Sequence, residues 1–533
     1  MKIKRLVVPE YKNVTVDVEL QAGLITLLVG QNGMGKSNLL EVLLLIFDEL
    51  NQLAKGRRLT ERERLPFDYV LDYECGGRVY RAKKEGDEHF FYEILTDRDG
   101  VMIERNAVIQ EQALPSQIIG YYSGENKRIR ELVAKHIKRE ESSKRRRYSK
   151  GNIAELQPNK LFFAENRHSM IVLATLLLYQ EHPAYAANIK KVLREIVHVD
   201  CWDRICLRFR NPGFAKMGDL RKQGKTLDDY IDRLTQGEYL EETSIFWGIR
   251  GNVDTLLRLL LYSALDDYMK FSILSAKRGN GELFDIESIP KRGGFIELLF
   301  ERFPTPMDFL NTLEECYVLN MVEKFEIYLR KEGDKAYYPY LHLSEGEQQY
   351  LTVMGLIALS HSSQDETLFL LDEPDTHINP QWQRNYIRQV KELSDAEADR
   401  QGKAFFISTH SPLLVQANSS DDADVDLLLF KKNEGGKIEI DAKEDDMLRN
   451  WRIDQVLMSK YFDLPSSRPT SLDEFMERRN SVVEGQSEHR LHNSLEGNTD
   501  EFGYLPTGET LADVEAMALI HRIADRARRE GHL

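Results

Sequence analysis

The stretch "GLITLLVGQNGMGKSN", Gly23–Asn38, constrains the fold of this chain more than any other. A short, nearly continuous apolar run ends in Gly30, a glycine-rich loop follows, and a helical pattern runs from Lys36 to about Leu53. An apolar run with no polar face reads as a buried strand of a parallel sheet, and the helix must then cover one side of that sheet. Gly30–Ser37 fits G-x-x-x-x-G-K-[ST] in the context that gives the motif its meaning, between a strand and a helix. In such a loop the glycines let backbone N–H groups wrap phosphate oxygens. Lys36 supplies a point charge to the β and γ phosphates, and the Ser37 hydroxyl ligates Mg²⁺. Gly30, Gln31, Asn32, Gly33, Gly35, Lys36, Ser37 and Asn38 are the expected nucleotide-binding residues.

Three later stretches extend this reading. "LFLLDEPDTHINP", Leu368–Pro380, is a strand that delivers two carboxylates at its C-terminal end, where α/β sheets place ligands. Asp372 is expected to hold Mg²⁺, directly or through a water, and Glu373 to orient and deprotonate the attacking water. "FFISTHSP", Phe405–Pro412, is a second buried strand, one helix later, whose terminal His410 is expected to sense the γ-phosphate. In "LHLSEGEQQYL", Leu341–Leu351, Leu341 and Leu343 predict a strand and Glu347 begins a helix. Ser344 and Gly346 at that helix N-terminus make a second anion site, with more than half the chain between it and the first.

A glycine-rich phosphate loop, LSEGE, a strand ending in Asp-Glu and a strand-terminal His, in that order, resemble the ABC-type ATPase head. The resemblance implies ATP and Mg²⁺ as cofactors and a use for the second site. Ser344, Gly346 and Glu347 would cap ATP bound by another subunit, in a head-to-tail homodimer or higher even oligomer. It also implies a glutamine between the phosphate loop and the insertion that ligates Mg²⁺. Gln117, in "LPSQIIGYYSGE", is the candidate and Gln112 the competitor.

Within that family, transporter ATPases have a much shorter gap between loop and signature, and SMC-like members carry a long coiled coil. The apolar pattern of residues 162–318 repeats for only a few turns at a time, which is not a sustained heptad. "DEPDTH", "YYSGENKR" (121–128) and "WRIDQVLMSKYFDL" (451–464) most closely resemble the Septu-type anti-phage ATPases. That resemblance implies a separate HNH nuclease as partner. In the retron-associated form it also implies a reverse transcriptase with its RNA–DNA product, so nucleic acid would be reached through the complex. The runner-up is an SMC/RecF-like DNA-repair ATPase.

The expected fold class is α/β: an ABC-type head with a large helical insertion and a polar, partly helical tail. The expected divisions are 1–160 and 336–440 for the two lobes of the head, 161–335 for the helical insertion and 441–533 for a partner-docking tail. With 72 Lys and Arg against 87 Asp and Glu, the net charge of −15 does not attract nucleic acid over the whole surface. Lys127–Arg130 and Lys144–Lys150 form a basic island that reads either as a solvated loop or as a phosphate contact. No secretory pattern and no apolar run near the ~20 residues of a bilayer span point to a cytoplasmic protein with no membrane partner. Cys75, Cys201, Cys206 and Cys316 lack the spacing of a zinc site and predict no disulfide. Thr510–Arg529 predicts a terminal helix with an apolar side.

Overall fold

The computed structural model describes residues 1–123, 142, 161–212 and 246–464, except positions 22, 62, 97–101, 166–167, 248, 250, 266–270, 276–281, 287–288, 290–293, 361–365, 395–401, 418–424, 433–437, 442–452, 459–461 and 463. The basic island, the terminal helix and nearly all of the predicted docking tail lie outside the described residues.

An antiparallel pair, β1 (Lys2–Tyr11) and β2 (Val14–Glu19), opens the chain. β2 alternates buried Val14, Val16 and Val18 with exposed polar residues, the pattern of a strand covered on one face. β3 (Ile25–Val29) is buried along its whole length, as its apolar run requires. α1 (Lys36–Ala54) follows and buries Leu39, Leu40, Leu43, Phe47 and Leu50 at helical spacing. Four antiparallel strands then form a meander: β4 (Tyr69–Cys75), β5 (Arg78–Glu85), β6 (Glu88–Thr96) and β7 (Met102–Asn106). Gly76, Gly77 and Gly86, all at positive φ, make its tight turns.

β8 (Gln117–Tyr122) and β9 (Leu161–Ala164) return the chain to the same sheet. Next come α2 (His168–Tyr179), α3 (Ala186–Lys190, continued as a π-helix to Ile196) and the long strand β10 (Val199–Arg210). α4 (Gly251–Leu265), β11 (Phe271–Ser275), β12 (Glu282–Ile286), α5 (Gly294–Arg302), α6 (Pro306–Val318), β13 (Val322–Lys331) and β14 (Tyr338–Pro339) complete the middle of the chain. The rest alternates: α7 (Glu345–Leu359), β15 (Thr367–Asp372), α8 (Pro380–Ser394), β16 (Lys403–Thr409), α9 (Pro412–Ala417), β17 (Val425–Lys432), β18 (Ile438–Asp441) and α10 (Ile453–Leu457).

Among the described residues, 13 strands form one sheet in the order β7-β6-β5-β4-β1-β2-β18-β17-β3-β16-β15-β8-β9. The half from β17 to β9 is parallel throughout, which aligns the C-terminal ends of β3, β16, β15 and β8 along one edge. The fold is thus mixed α/β with a large central sheet.

The middle region differs from its expectation. The expected helices are there, but among the described residues so is a five-stranded antiparallel sheet, β11-β12-β10-β13-β14, so the described part of 161–335 is a helix-and-sheet layer. β9 belongs to the central sheet, which carries the head past residue 160, and β14 puts part of 336–440 into the second sheet. Among the described residues the insertion shares its core with the head. One apolar cluster runs from Leu27 and Phe405 of the central sheet through α2 and α7 to Trp202 and Ile327 of the second sheet. Gly355 of α7 sits so close to α2 that a Cβ there would come within 2.4 Å of Val172. The strand expected at Leu341 and Leu343 is instead a 3₁₀ turn at Tyr340–His342 behind the two-residue β14, because Pro339 has no N–H to continue a ladder.

Candidate nucleotide site

The loop between β3 and α1 is shaped by its glycines. Gly33 and Gly35 take φ of 79° and 82°, the left-handed region that glycine occupies without strain. A Cβ on Gly35 would lie 2.2 Å from Val14, so this position also has no room for a side chain. Gly35 is the N-cap of α1 and provides no side-chain cap, which leaves the first-turn N–H groups open to an anion. The N-terminus of α7 is the opposite case. The Ser344 hydroxyl accepts from the Glu347 N–H at 3.3 Å, and the Glu347 carboxylate accepts from the Ser344 N–H at 2.8 Å, a reciprocal capping box. Burial works to raise the Glu347 carboxyl, but its pairing with Lys331 and its two Ser344 bonds outweigh this and hold it below the usual range. Expected as a nucleotide contact, Glu347 is occupied as a cap. Gly346 has a reason within its own chain: a Cβ there would lie 2.3 Å from the His377 carbonyl oxygen.

Parallel register brings the remaining residues together. Asp372 on β15 pairs with Ser408 on β16, and Ser408 pairs with Leu28 on β3, so the strands reach their ends level with the phosphate loop. Lys36, nearly buried, donates to the carbonyls of Gly30 at 2.7 Å and Gln31 at 3.2 Å, and lies 2.8 Å from His410 Nε2. Burial pulls its ammonium down to about 8, against the attraction of Glu373, Asp372 and Asp375. His410 Nε2 is also 3.0 Å from Glu373 Oε1. One ring nitrogen serves one neighbour at a time: it accepts from Lys36 when unprotonated, or donates to Glu373 when it carries the proton.

Glu373 has φ of 49°, left-handed backbone for a non-glycine residue, at a cost of about 1–3 kcal/mol. Its N–H donates to the Ser408 carbonyl at 3.2 Å and to the Ser408 hydroxyl at 3.0 Å, which hold it there. The hydrogen bond to His410 keeps its carboxyl below the usual range. Asp372 is buried, and burial pushes its carboxyl up while the hydroxyls of Ser408 and Ser37 pull it down. One Asp372 oxygen accepts from Ser408; the other, Oδ2, is buried with no hydrogen-bond partner. A buried, orphaned carboxylate oxygen beside a serine hydroxyl fits a Mg²⁺ ion that takes its other ligands from phosphate and water. Among the described residues no cluster of three His, Cys, Asp or Glu side chains could hold a metal unaided.

The glutamine expectation fails on register. β8 runs parallel to β15 with Gln117 opposite Thr367 and Tyr122 opposite Asp372. Gln117 therefore sits five residues from the Asp372 level, roughly 16 Å at the rise of a strand, at the wrong end of the sheet. Gln112 precedes even that end, in a 3₁₀ turn at Glu111–Ala113. At the Asp372 level stand Tyr122 and Ser123; the Ser123 N–H donates to the Asp372 carbonyl at 3.2 Å. Sequence reasoning also missed Ser408, whose hydroxyl ties Asp372 to Glu373. Its position two residues before the strand-terminal His410 was the available signal.

The sheet edge, the phosphate loop and the level carboxylates define a P-loop ATPase. The chain belongs to the family described as "AAA domain, putative AbiEii toxin, Type IV TA system", matched over residues 25–416. No curated protein matches it. Three solved structures resemble it distantly. The Smc head domain of Pyrococcus furiosus, bound to the C-terminal domain of ScpA, is 13% identical with a TM-score of 0.31, covering 83% of this chain and 96% of that one. The SMC head domain of Thermotoga maritima is 14% identical with a TM-score of 0.29, covering 84% and 100%. The recombination mediator RecF bound to ATPrS is 13% identical with a TM-score of 0.25, covering 82% and 97%. Among the described residues no helix is long and apolar enough to cross a membrane.

Proposed function

We propose that this chain hydrolyses ATP with Mg²⁺ as a head-to-tail dimer, and that it is the ATPase subunit of an anti-phage complex controlling a partner HNH nuclease. Hydrolysis rests above all on the orphaned Asp372 Oδ2 beside Ser37, with Lys36 and Glu373 at the same strand ends. Ser37 and Asp372 would hold Mg²⁺, which when bound neutralises charge on the β and γ phosphates. Lys36 exchanges the Gly30 and Gln31 carbonyls for phosphate oxygens and so lets go of His410. His410 is then free to hold Glu373 or the γ-phosphate, and Glu373, already charged, takes the proton of the attacking water.

The dimer reading is supported by the exposed Ser344 at the N-terminus of α7, where the helix dipole favours an anion. The phosphate contact then belongs to Ser344 and Gly346, with Glu347 as their support. The defence role rests on the motif resemblance alone, as do the HNH nuclease and, in the retron-associated form, the reverse transcriptase with its RNA–DNA product.

Mixing a Lys36→Ala chain with a Ser344→Arg chain tests the dimer. Each alone has no complete site, while a hybrid has one, so ATPase activity should return on mixing. No recovery at any ratio, with subunit exchange demonstrated, rules out the trans arrangement. Affinity purification beside a co-expressed HNH protein encoded by a neighbouring gene tests the complex; failure to co-purify counts against it.

A further inference from the structure

We infer that Asp375, Thr409, Ser411 and Gln383 form a closed hydrogen-bonded clasp that positions Glu373 and His410 for hydrolysis. The inference rests on the hydrolytic reading above and assigns work to four residues that carry no role in it.

The ring can be followed atom by atom. The Thr409 hydroxyl donates to Asp375 Oδ2 at 2.7 Å and accepts from the Ser411 N–H at 2.8 Å. The Ser411 hydroxyl donates to Gln383 Oε1 at 2.9 Å, and Gln383 Nε2 returns to the Asp375 carbonyl at 3.0 Å. Gln383 also reaches the Ile378 carbonyl at 3.4 Å, and the Leu413 N–H donates to the Ser411 hydroxyl at 3.2 Å. Four anchor points are joined: the loop after β15, the end of β16, and the first turns of α8 and α9.

What the ring encloses gives it a purpose. His410 lies between Thr409 and Ser411, and Glu373 lies two residues before Asp375. The 3.0 Å contact between His410 and Glu373 spans two loops that the backbone joins only at their base, where the Glu373 N–H meets Ser408. Glu373 is in left-handed backbone, a conformation that persists only where its surroundings over-determine it. Ser408 holds Glu373 from one side, and the clasp holds the loop that follows it. A ring that closes on itself fixes both loops at once, because slackening one bond strains the other three.

The environment of Asp375 fits a positioning role. It is 4% exposed, its Oδ1 has no hydrogen-bond partner, and Glu373 and His410 both act on its charge. Such a group is costly to bury unless its placement serves something else. The charges around it are Lys36, Glu373 and His410, all in the proposed site.

The test uses the full-length chain and steady-state ATP hydrolysis. Thr409→Val removes the donor to Asp375 while keeping β-branched shape. It should lower kcat about 10²-fold, the loss expected when a reacting group is misplaced by roughly 1 Å. KM and nucleotide affinity should stay within about twofold, because the clasp's hydrogen bonds involve no phosphate-loop residue and Thr409→Val leaves the Asp375 charge in place. Thr409→Ser restores the hydroxyl and should recover most of kcat, a rescue that a general packing defect would not show. Gln383→Leu opens the ring from its half-exposed side, so it reads the same effect should Thr409→Val fold poorly. Wild-type kcat in both Thr409→Val and Gln383→Leu, or equal losses in Thr409→Val and Thr409→Ser, overturns the clasp. Glu373→Gln separates the two readings: normal turnover there sinks the hydrolytic proposal itself, whereas collapse there with normal Thr409→Val turnover sinks the clasp alone.

Discussion

The two ends of the parallel strands β8, β15 and β16 are built on opposite terms. At the N-terminal ends, polar groups are paired. The Gln117 N–H donates to the Glu366 carbonyl at 3.3 Å and the Thr367 N–H to the Gly402 carbonyl at 2.7 Å. Glu366 accepts from the Gly76 N–H at 2.7 Å, and its carbonyl accepts from the Ser116 hydroxyl at 2.9 Å. At the C-terminal ends, two buried carboxylate oxygens, Asp372 Oδ2 and Asp375 Oδ1, have no partner, and Glu373 has left-handed backbone. One end pairs its polar groups; the other leaves some unpaired. Unpaired buried charge and strain are tolerated where a ligand is to supply the missing partner.

Four substitutions test this contrast. Glu373→Gln keeps the shape of the side chain and removes the base. Hydrolysis should fall by roughly 10²–10⁴ with ATP binding retained, as separate turnover and nucleotide-binding measurements would show. Asp372→Asn replaces a Mg²⁺ ligand, so the Mg²⁺ concentration giving half-maximal ATPase activity should rise at least about tenfold. An unchanged Mg²⁺ titration would remove Asp372 from the metal site.

Asp375→Asn probes the cost of buried charge. Burial raises the Asp375 carboxyl from 3.8 to about 6, so the folded state holds this proton more tightly than the unfolded one. That contribution is fully present below about 3.8 and is lost as pH rises through about 6. Asparagine still accepts from Thr409 but does not ionise. Denaturant unfolding should therefore show the variant gaining about 3 kcal/mol on the wild type between the acid side and neutral pH. A pH-independent difference would contradict the burial. Gln117→Ala, at the paired end, should change ATPase activity by less than about twofold and stability by about 0.5 kcal/mol or less. A large loss of Mg²⁺-dependent activity there would overturn the register argument.

The carboxylate strand, the phosphate loop and the strand ending in His410 were legible because each is a local pattern, a buried run followed at once by its functional residue. β10 was not. Its apolar residues Trp202, Ile205, Leu207 and Phe209 lose strict alternation where the register against β13 shifts between Trp202 and Arg204, which disguises the period of two. Gln117 was misplaced for a different reason. A strand's sequence tells that it is buried but not which of its ends lies level with a neighbour's.

By itself, the sequence determined the class of this protein, because a phosphate loop works through atoms within eight consecutive residues, Gly30–Ser37. Backbone N–H groups, a lysine and a serine at that spacing can form their cradle in any fold that supplies the strand and helix. Tertiary structure alone decided which distant residues share the site. Strand order places β16 between β3 and β15, and only that adjacency brings His410 to both Lys36 and Glu373. The clasp is likewise invisible along the chain, since Asp375 and Thr409 lie on loops that follow different strands. Contacts of this kind depend on the register of parallel strands, which is set by side-chain packing across the whole sheet rather than by any local run of residues.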